Sequence, residues 1–152
     1  MKQGTFYVTS ADAESAVIRD VTDGQVHTLS EAIDADAGEI IDATIEAEPP
    51  MEVAYRVVEL DRTYAVPVEE SAEPPTKQAV DTAAEQAVGE VTRHERAGTG
   101  EVHVLTVPED ATDDAVADVL DDEATVERAA EMGVDRVEIR SQTGVVSVRY
   151  LP

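Results

Sequence analysis

The sequence predicts an α+β protein in which an antiparallel, β-barrel-like N-terminal half is followed by an α-β-α-β-β half. Apolar and polar residues alternate with the two-residue period of strands in the first half, whereas from Thr76 the apolar residues recur at helical spacing. An acidic segment with two prolines, residues 69–75, separates these patterns and is predicted to be a linker. We therefore expect a β-barrel-like domain at residues 1–70 and an α+β domain at residues 76–152.

The N-terminal half is organised around residues 38–68, the longest stretch of β-type sequence. β-branched residues are frequent in it, and paired prolines and the polar Asp61-Arg62 pair divide it. Residues 30–37 are predicted to form either one helical turn or a loop. Five or six short strands separated by close turn signals are typical of a small barrel or a strongly curled sheet. The strands are predicted at residues 4–8, 15–20, 25–29, 39–47, 52–60 and 63–68.

In the second half, Val80, Ala84, Ala87 and Val91 lie on one helical stripe, which predicts a helix from Thr76 to the glycines at 98–100. A strand is predicted next, then a helix starting near Thr112 that either continues or breaks at Asp121-Asp122, and finally a β-hairpin. The later elements are predicted at residues 101–107, 112–120, 125–132, 134–140 and 145–151.

The chain contains 34 acidic and 11 basic residues, giving a formal net charge of -23, and the acidic residues are spread along its length. The valines recur at the spacing of strands or helices, which a disordered acidic tail would not show. In concentrated salt the Debye length falls to about 3 Å, so like charges on a folded surface are tolerated. We therefore predict a folded, salt-adapted protein, for which net charge says little about partners.

Several chemistries are excluded or have no sequence signal. The chain has no cysteine, which excludes disulfides and thiolate sites. Its three histidines, His27, His94 and His103, are far apart, and there is no HExxH, GxSxG or phosphate-binding glycine motif. No apolar stretch reaches the length of a membrane span. We predict no catalytic residue, metal or cofactor, and a cytoplasmic location.

The predicted final hairpin contains the main candidate binding site. Arg136, Arg140 and Arg149 alternate with apolar residues, so strand geometry places these arginines on one face of the sheet. One interpretation is an outer face whose arginines pair with neighbouring acids. The other is an anion-recognising patch for nucleic-acid phosphate or an acidic partner.

A second candidate patch consists of Arg56 and Arg62 with Tyr55 and Tyr64, because basic and aromatic residues on a small barrel are used in single-strand binding. Tyr55 and Arg56 are neighbours in a strand and point to opposite faces, so at most one of them belongs to any single patch. Core packing is the alternative role of the tyrosines.

The composition resembles that of proteins from extremely halophilic archaea, being acidic, lysine-poor and free of cysteine. The runs GTFYVTSADAESAVIRDVTDGQVHTLSE and GEIIDATIEAEPPMEVAYRVVEL resemble a haloarchaeal family of uncharacterised proteins, and the resemblance spans the chain. It implies no catalytic residue. The order of the predicted strands in the first half is also similar to that of an OB-type barrel.

These observations favour a non-enzymatic binding or adaptor protein that contacts nucleic acid or a nucleic-acid-associated protein. One alternative is a small enzyme that uses one of the carboxylates as its acid or base, for which a pocket holding an Asp or Glu of raised pKa would be evidence. The other alternative is a structural subunit of a larger assembly. The sequence leaves the oligomeric state open.

Overall fold

The computed structural model describes residues 1–152 as an α+β protein with two sheets and three α-helices. The chain divides into two compact units, Met1–Val66 and Pro67–Pro152. The predicted linker at residues 69–75 is wrong in its first part, because residues 68–70 form a strand of the second sheet. This segment becomes a strand because its backbone pairs with residues 137–139, far along the chain. The local sequence does not show that pairing.

Five strands make up the N-terminal unit. They are β1 (Lys2–Ala11), β2 (Ala16–Asp20), β3 (Val26–Leu29), β4 (Ile40–Ala47) and β5 (Tyr55–Tyr64). β1 pairs antiparallel with both β2 and β4, β3 extends the sheet beyond β2, and β5 extends it beyond β4. β3 and β5 meet through one parallel residue pair, Leu29 and Tyr55. The sheet therefore curls so far that its two outer strands touch at one end.

β5 replaces two predicted strands. It passes through the Asp61-Arg62 pair without a break, because β4 pairs with it on both sides of that point. The register shifts twice along this ladder, and Asp61 and Val58 are the extra residues on β5. Such bulges bend a strand without ending it, so the polar pair marks a bulge. Of the two structures expected for residues 30–37, the loop is the one that forms.

Alternate residues of these strands fill the interior of the curled sheet. Phe6, Ile18 and Leu29 are almost fully buried there, and β4 contributes Ile41 and Ile45 from the opposite side. Tyr55 and Val57 pack against this cluster from β5. Burial of such side chains stabilises a fold by about 1.5–3 kcal/mol each, so this cluster holds the unit together.

A polar cluster around Lys2 borders the apolar interior. The ammonium of Lys2 lies 3.0 Å from the Asp20 carboxylate, 3.2 Å from that of Asp23 and 3.3 Å from Nε2 of His27. The His27 ring is 3% exposed and packs edge-on against Tyr55, with 4.6 Å between centroids. Burial, and then the charge of Lys2, lower the pKa of His27. The ring is therefore neutral at pH 7 and accepts a hydrogen bond from Lys2.

Acidification is expected to remove stability through this histidine. Since its pKa is below the ordinary value of about 6.5, the unfolded chain takes up a proton first as the pH falls. The stability associated with the neutral ring is complete above about pH 6.5 and is lost as the pH falls from there toward the folded pKa. Denaturant unfolding at pH 7.5 and 5.5 in constant salt should show a smaller loss in His27→Gln than in the wild type. Equal losses would contradict the prediction.

The C-terminal unit has one five-stranded sheet and all three helices. Its elements are β6 (Val68–Glu70), α1 (Lys77–Glu85), β7 (Val91–Glu95), β8 (Glu101–Thr106), α2 (Thr112–Asp121), α3 (Glu123–Met132), β9 (Arg136–Gln142) and β10 (Val145–Leu151). The strand order is β6-β9-β10-β8-β7, and every pair is antiparallel except β6 with β9. None of the helices is both long enough and apolar enough to cross a membrane.

The α-β-α-β-β order expected for this half is incomplete. The helix predicted to reach the glycines at 98–100 ends at Glu85, and residues 91–95 form β7. Val91 fits a helical stripe, but its strand is fixed by pairing with β8, and Gly89 turns the chain with a φ of +91°. The side chain of Gln86 donates hydrogen bonds to the carbonyl oxygens of Glu90 and Val104 at this turn. Pairing across the sheet therefore overrides the local helical pattern.

The helices are placed on the sheet by short side chains and caps. α1 packs Ala79 and Ala83 against Val104 and Val145 of β8 and β10. α2 and α3 contact β9, and α2 also contacts β10. The chain breaks between α2 and α3 at Asp122, whose carboxylate caps α3 by accepting a 2.9 Å hydrogen bond from the Ala124 amide. Ala124 and Thr125 at the start of α3 line a cleft together with His103 of β8 and Tyr150 of β10.

Candidate functional site

The hairpin arginines lie on β9 and β10, and the register shows which of them are neighbours. Arg149 is paired with Glu138, and Arg140 with Ser147, while the alternate residues Val137 and Ile139 are buried. Arg140 and Arg149 therefore project from the same face of the sheet on either side of Glu138. This is the arrangement that two-residue periodicity predicts.

Glu138 is the common ion-pair partner of the hairpin arginines. One of its carboxylate oxygens lies 2.5 Å from Nε of Arg140 and 3.5 Å from Nε of Arg149, and the other lies 3.9 Å from Arg136. Arg140 also binds Glu73 at 2.7 Å, and its side chain is 16% exposed. The arginines are thus paired with acids, as the first sequence interpretation requires, although one carboxylate serves three of them.

Arginines and carboxylates are both gathered around Glu138. Burial, followed by the charge of Arg140, lowers the pKa of Arg149, and Arg96 near the end of β7 acts in the same direction. Nε of Arg149 is buried without a hydrogen bond. We call the set Arg96, Arg136, Arg140 and Arg149 the arginine face. The nearby acids are Glu138 itself, Glu73, and Glu69, which is paired with Glu138 across β6 and β9. Glu70 lines a small pocket together with Arg136, so the arginines lie among carboxylates.

The second predicted patch is divided among separate interactions. Arg56 is exposed and forms a 3.0 Å ion pair with Glu46, while the guanidinium of Arg62 lies 3.9 Å from the centre of the Tyr64 ring. Tyr55 is half-buried against the interior and stacks edge-on against His27. The structure therefore places Tyr55 in core packing and does not bring the two arginines and two tyrosines onto one stacking surface.

Sequence reasoning missed four large apolar side chains that are exposed on β5 and on the loop before it. Met51 and Val53, in the loop between β4 and β5, are 76% and 74% exposed, and Val58 and Leu60 are exposed on β5. These four residues are called the apolar rim. They stand out because large apolar side chains are scarce in this chain. In the sequence they show only as two apolar pairs, each of which flanks a glutamate: Met51 and Val53 around Glu52, and Val58 and Leu60 around Glu59.

A groove of about 200 Å³ opens between β5 and the loop that follows β3. Its apolar lining residues are Leu29, Ala32, Ile33, Val57 and Leu60, and its charged ones are Glu31, Asp34 and Arg56. Apolar side chains together with two carboxylates are suited to an apolar side chain that is flanked by positive charges.

The C-terminal unit has a cleft of about 240 Å³ between β7, β8, β10 and the start of α3. Its charged and aromatic lining residues are Arg93, His103, Asp122, Arg128 and Tyr150. Arg128 donates two hydrogen bonds, of 3.0 and 3.1 Å, to the carboxylate of Glu101, and Nε2 of His103 lies 2.9 Å from the same carboxylate. Strand register and one helix turn bring these residues together, and no motif marks them in the sequence.

The electrostatics of this cleft favour the ionised form of Glu101. The hydrogen bond with His103, and then Arg128, hold the pKa of Glu101 below its ordinary value. Burial lowers the pKa of His103, and burial raises that of Tyr150. A catalytic acid at neutral pH needs a raised carboxyl pKa. No group of three or more His, Asp and Glu side chains could hold a metal ion.

Two sheets and three helices define a mixed α+β protein. A protein-family model matches residues 2–141, and the chain belongs to that family, a family of unknown function (DUF5812). Comparisons with curated proteins and with solved structures gave no match. The family assigns no activity and no functional residue.

Proposed function

We propose that this is a salt-adapted cytoplasmic binding protein of a halophilic archaeon, an adaptor that holds a segment of a partner protein on its N-terminal unit. The observation that carries the proposal is the apolar rim beside the groove along β5. Exposed apolar side chains grouped on one side of a soluble protein mark interaction sites. Apart from Met1, Met51 and Val53 are the most exposed large apolar side chains of the chain.

The strand arrangement supports this placement. The spatial order β4-β1-β2-β3 is that of a Greek key, and β5 closes on β3 through one residue pair. OB folds are partly open, five-stranded Greek-key barrels that bind ligands with the loops β1–β2 and β4–β5 and the face of β2 and β3. We take the N-terminal unit to be a barrel of this type. The apolar rim includes its β4–β5 loop, which is a ligand-binding position in OB folds.

The charges favour a protein segment as the ligand of this surface. The β1–β2 loop contains Asp12 and Glu14, the β4–β5 loop contains Glu48 and Glu52, and two carboxylates line the groove. These carboxylates repel a phosphate backbone. They attract lysine and arginine, so the partner segment is one with apolar residues flanked by basic ones.

Photo-cross-linking in the native cells tests this proposal. A photoreactive residue at position 53 is expected to capture one protein, whose cross-linked peptide carries apolar and basic residues. A photoreactive residue at Val88, an exposed valine of the other unit, serves as the control and should not capture it. Changing Met51, Val58 and Leu60 to serine should abolish capture from position 53. Capture that survives this triple change, or that occurs equally from position 88, would overturn the proposal.

A second candidate function, contact with nucleic acid, is favoured by the arginine face. Guanidinium groups bind phosphate in bidentate geometry. Here four of them lie near Glu138, among carboxylates that include Glu69 and Glu73. The same cross-linking cultures can be assayed for nucleic acid that copurifies with the protein. A nuclease-sensitive signal that is lost in Arg136→Gln, Arg140→Gln, Arg149→Gln protein would support this function, and its persistence would exclude the arginine face.

A further inference from the structure

We propose that the cleft of the C-terminal unit is a binding site for a small oxyanion, such as a carboxylate or phosphate group, with Arg93 and Tyr150 as its donors. The cleft shares no residue with the apolar rim or with the arginine face. Strand alternation places Arg93 and His103, paired across β7 and β8, on the side of the sheet opposite to Val102 and Val104.

The acids of the cleft already have partners. Glu101 accepts two hydrogen bonds from Arg128 and lies within hydrogen-bond distance of His103. The carboxylate of Asp122 accepts the amide hydrogen of Ala124 at the start of α3. Three hydrogen bonds take up much of the capacity of Glu101 to bind a further donor, whereas Asp122 accepts one. Glu101 therefore competes weakly for the remaining donors.

The donors of the cleft, in contrast, are available. Arg93 is exposed, and it forms no ion pair and no hydrogen bond, although the chain has 34 acidic residues and only 11 basic ones. The hydroxyl of Tyr150 also forms no hydrogen bond, although its ring is buried against His103 with 4.8 Å between centroids. An arginine without a partner in so acidic a chain, beside a phenol without a partner, is the juxtaposition from which we infer the site.

The chemistry of these donors selects the ligand class. A planar guanidinium offers two parallel N–H groups that match two oxygens of a carboxylate or phosphate. A tyrosine hydroxyl adds a third hydrogen bond from the wall of the cleft. The positive charges of Arg93 and Arg128 both lower the pKa of His103, which shows that both charges act within the cleft. A volume of about 240 Å³ accommodates a small anion.

The experiment is an NMR titration with inorganic phosphate, which replaces chloride at constant ionic strength. The ring signals of His103 should shift saturably in the wild type. Arg93→Ala should weaken the affinity about tenfold or more, since it removes a charge-assisted hydrogen bond. Tyr150→Phe, which keeps the ring, should weaken it several-fold. Lys77→Ala is the matched control, because Lys77 is a cation of the same unit whose side chain is 90% exposed.

Retained affinity in Lys77→Ala together with the losses in Arg93→Ala and Tyr150→Phe supports the site. An equal affinity in Arg93→Ala and the wild type would overturn it, and so would the absence of a saturable His103 shift. A parallel titration with acetate distinguishes a carboxylate from a phosphate preference. The result is independent of the adaptor function, since the cleft contains no residue of the apolar rim.

Discussion

Replacing Gly100 with alanine is expected to destabilise the C-terminal unit by at least about 3 kcal/mol, which places it among the severe single substitutions. Gly100 has a φ of +106°, which L-residues rarely adopt, and a Cβ at this position would lie 2.1 Å from the carbonyl oxygen of Tyr150. That oxygen belongs to the backbone of a central strand, so it cannot move aside as a flexible side chain could. Denaturant unfolding monitored on the C-terminal unit measures the effect.

Gly98 provides the matched control for this change. It has a similar φ of +97°, but a Cβ there would meet no atom within 4 Å. Gly98→Ala should therefore show only the conformational cost of a left-handed residue, about 1–2 kcal/mol. The difference between the two variants isolates the clash with Tyr150. Equal losses of stability in both variants would show that the clash relaxes without cost.

Truncation of Phe6 to alanine is expected to destabilise the N-terminal unit by about 3–5 kcal/mol. Phe6 is the only phenylalanine of the chain, is fully buried, and packs among buried aliphatic side chains. Its neighbours are held by the paired strands of the sheet, so they can fill only part of the cavity that its removal leaves. Amide hydrogen exchange resolved by residue measures the loss in β1, β2 and β4.

Val26→Ala is the comparison for Phe6. Val26 lies on β3 of the same sheet, but its side chain is more than half exposed, so its removal should change stability by less than about 0.5 kcal/mol. Protection in the C-terminal unit should be retained in both variants if the two units unfold independently. A Phe6→Ala protein as stable as Val26→Ala would contradict the assignment of the core.

Part of the fold follows from local periodicity. The alternation of Val137 and Ile139 with charged residues predicts both the final hairpin and the face on which Arg140 and Arg149 lie, because side-chain direction in a strand depends only on sequence parity. β6 and β7 could not be predicted in the same way. Val68 is followed by two glutamates, and Val91 fits a helical stripe, so pairing with distant strands determines both elements.

The candidate sites also differ in whether local periodicity could predict them. The three hairpin arginines of the arginine face could be found from parity. Arg96, which follows β7, and Glu73, whose position depends on how the chain leaves β6, could not. The cleft could not be found, because Arg93, His103, Arg128 and Tyr150 belong to four elements and have no common spacing. Their proximity results from strand order and from the break at Asp122. The exposure of the apolar rim likewise depends on the loop between β4 and β5. Residue propensities do not specify the conformation of that loop.

The parallel pairing of β6 with β9 has a practical consequence for dissecting the chain. β6 starts two residues after Val66, so a fragment that begins at residue 76 would lack it. β9 would then become an outer strand with unsatisfied backbone groups and the apolar pair Val137 and Ile139, which is a template for intermolecular strand addition. Such a fragment is expected to precipitate or form fibrils, whereas one that begins at Pro67 should remain monodisperse.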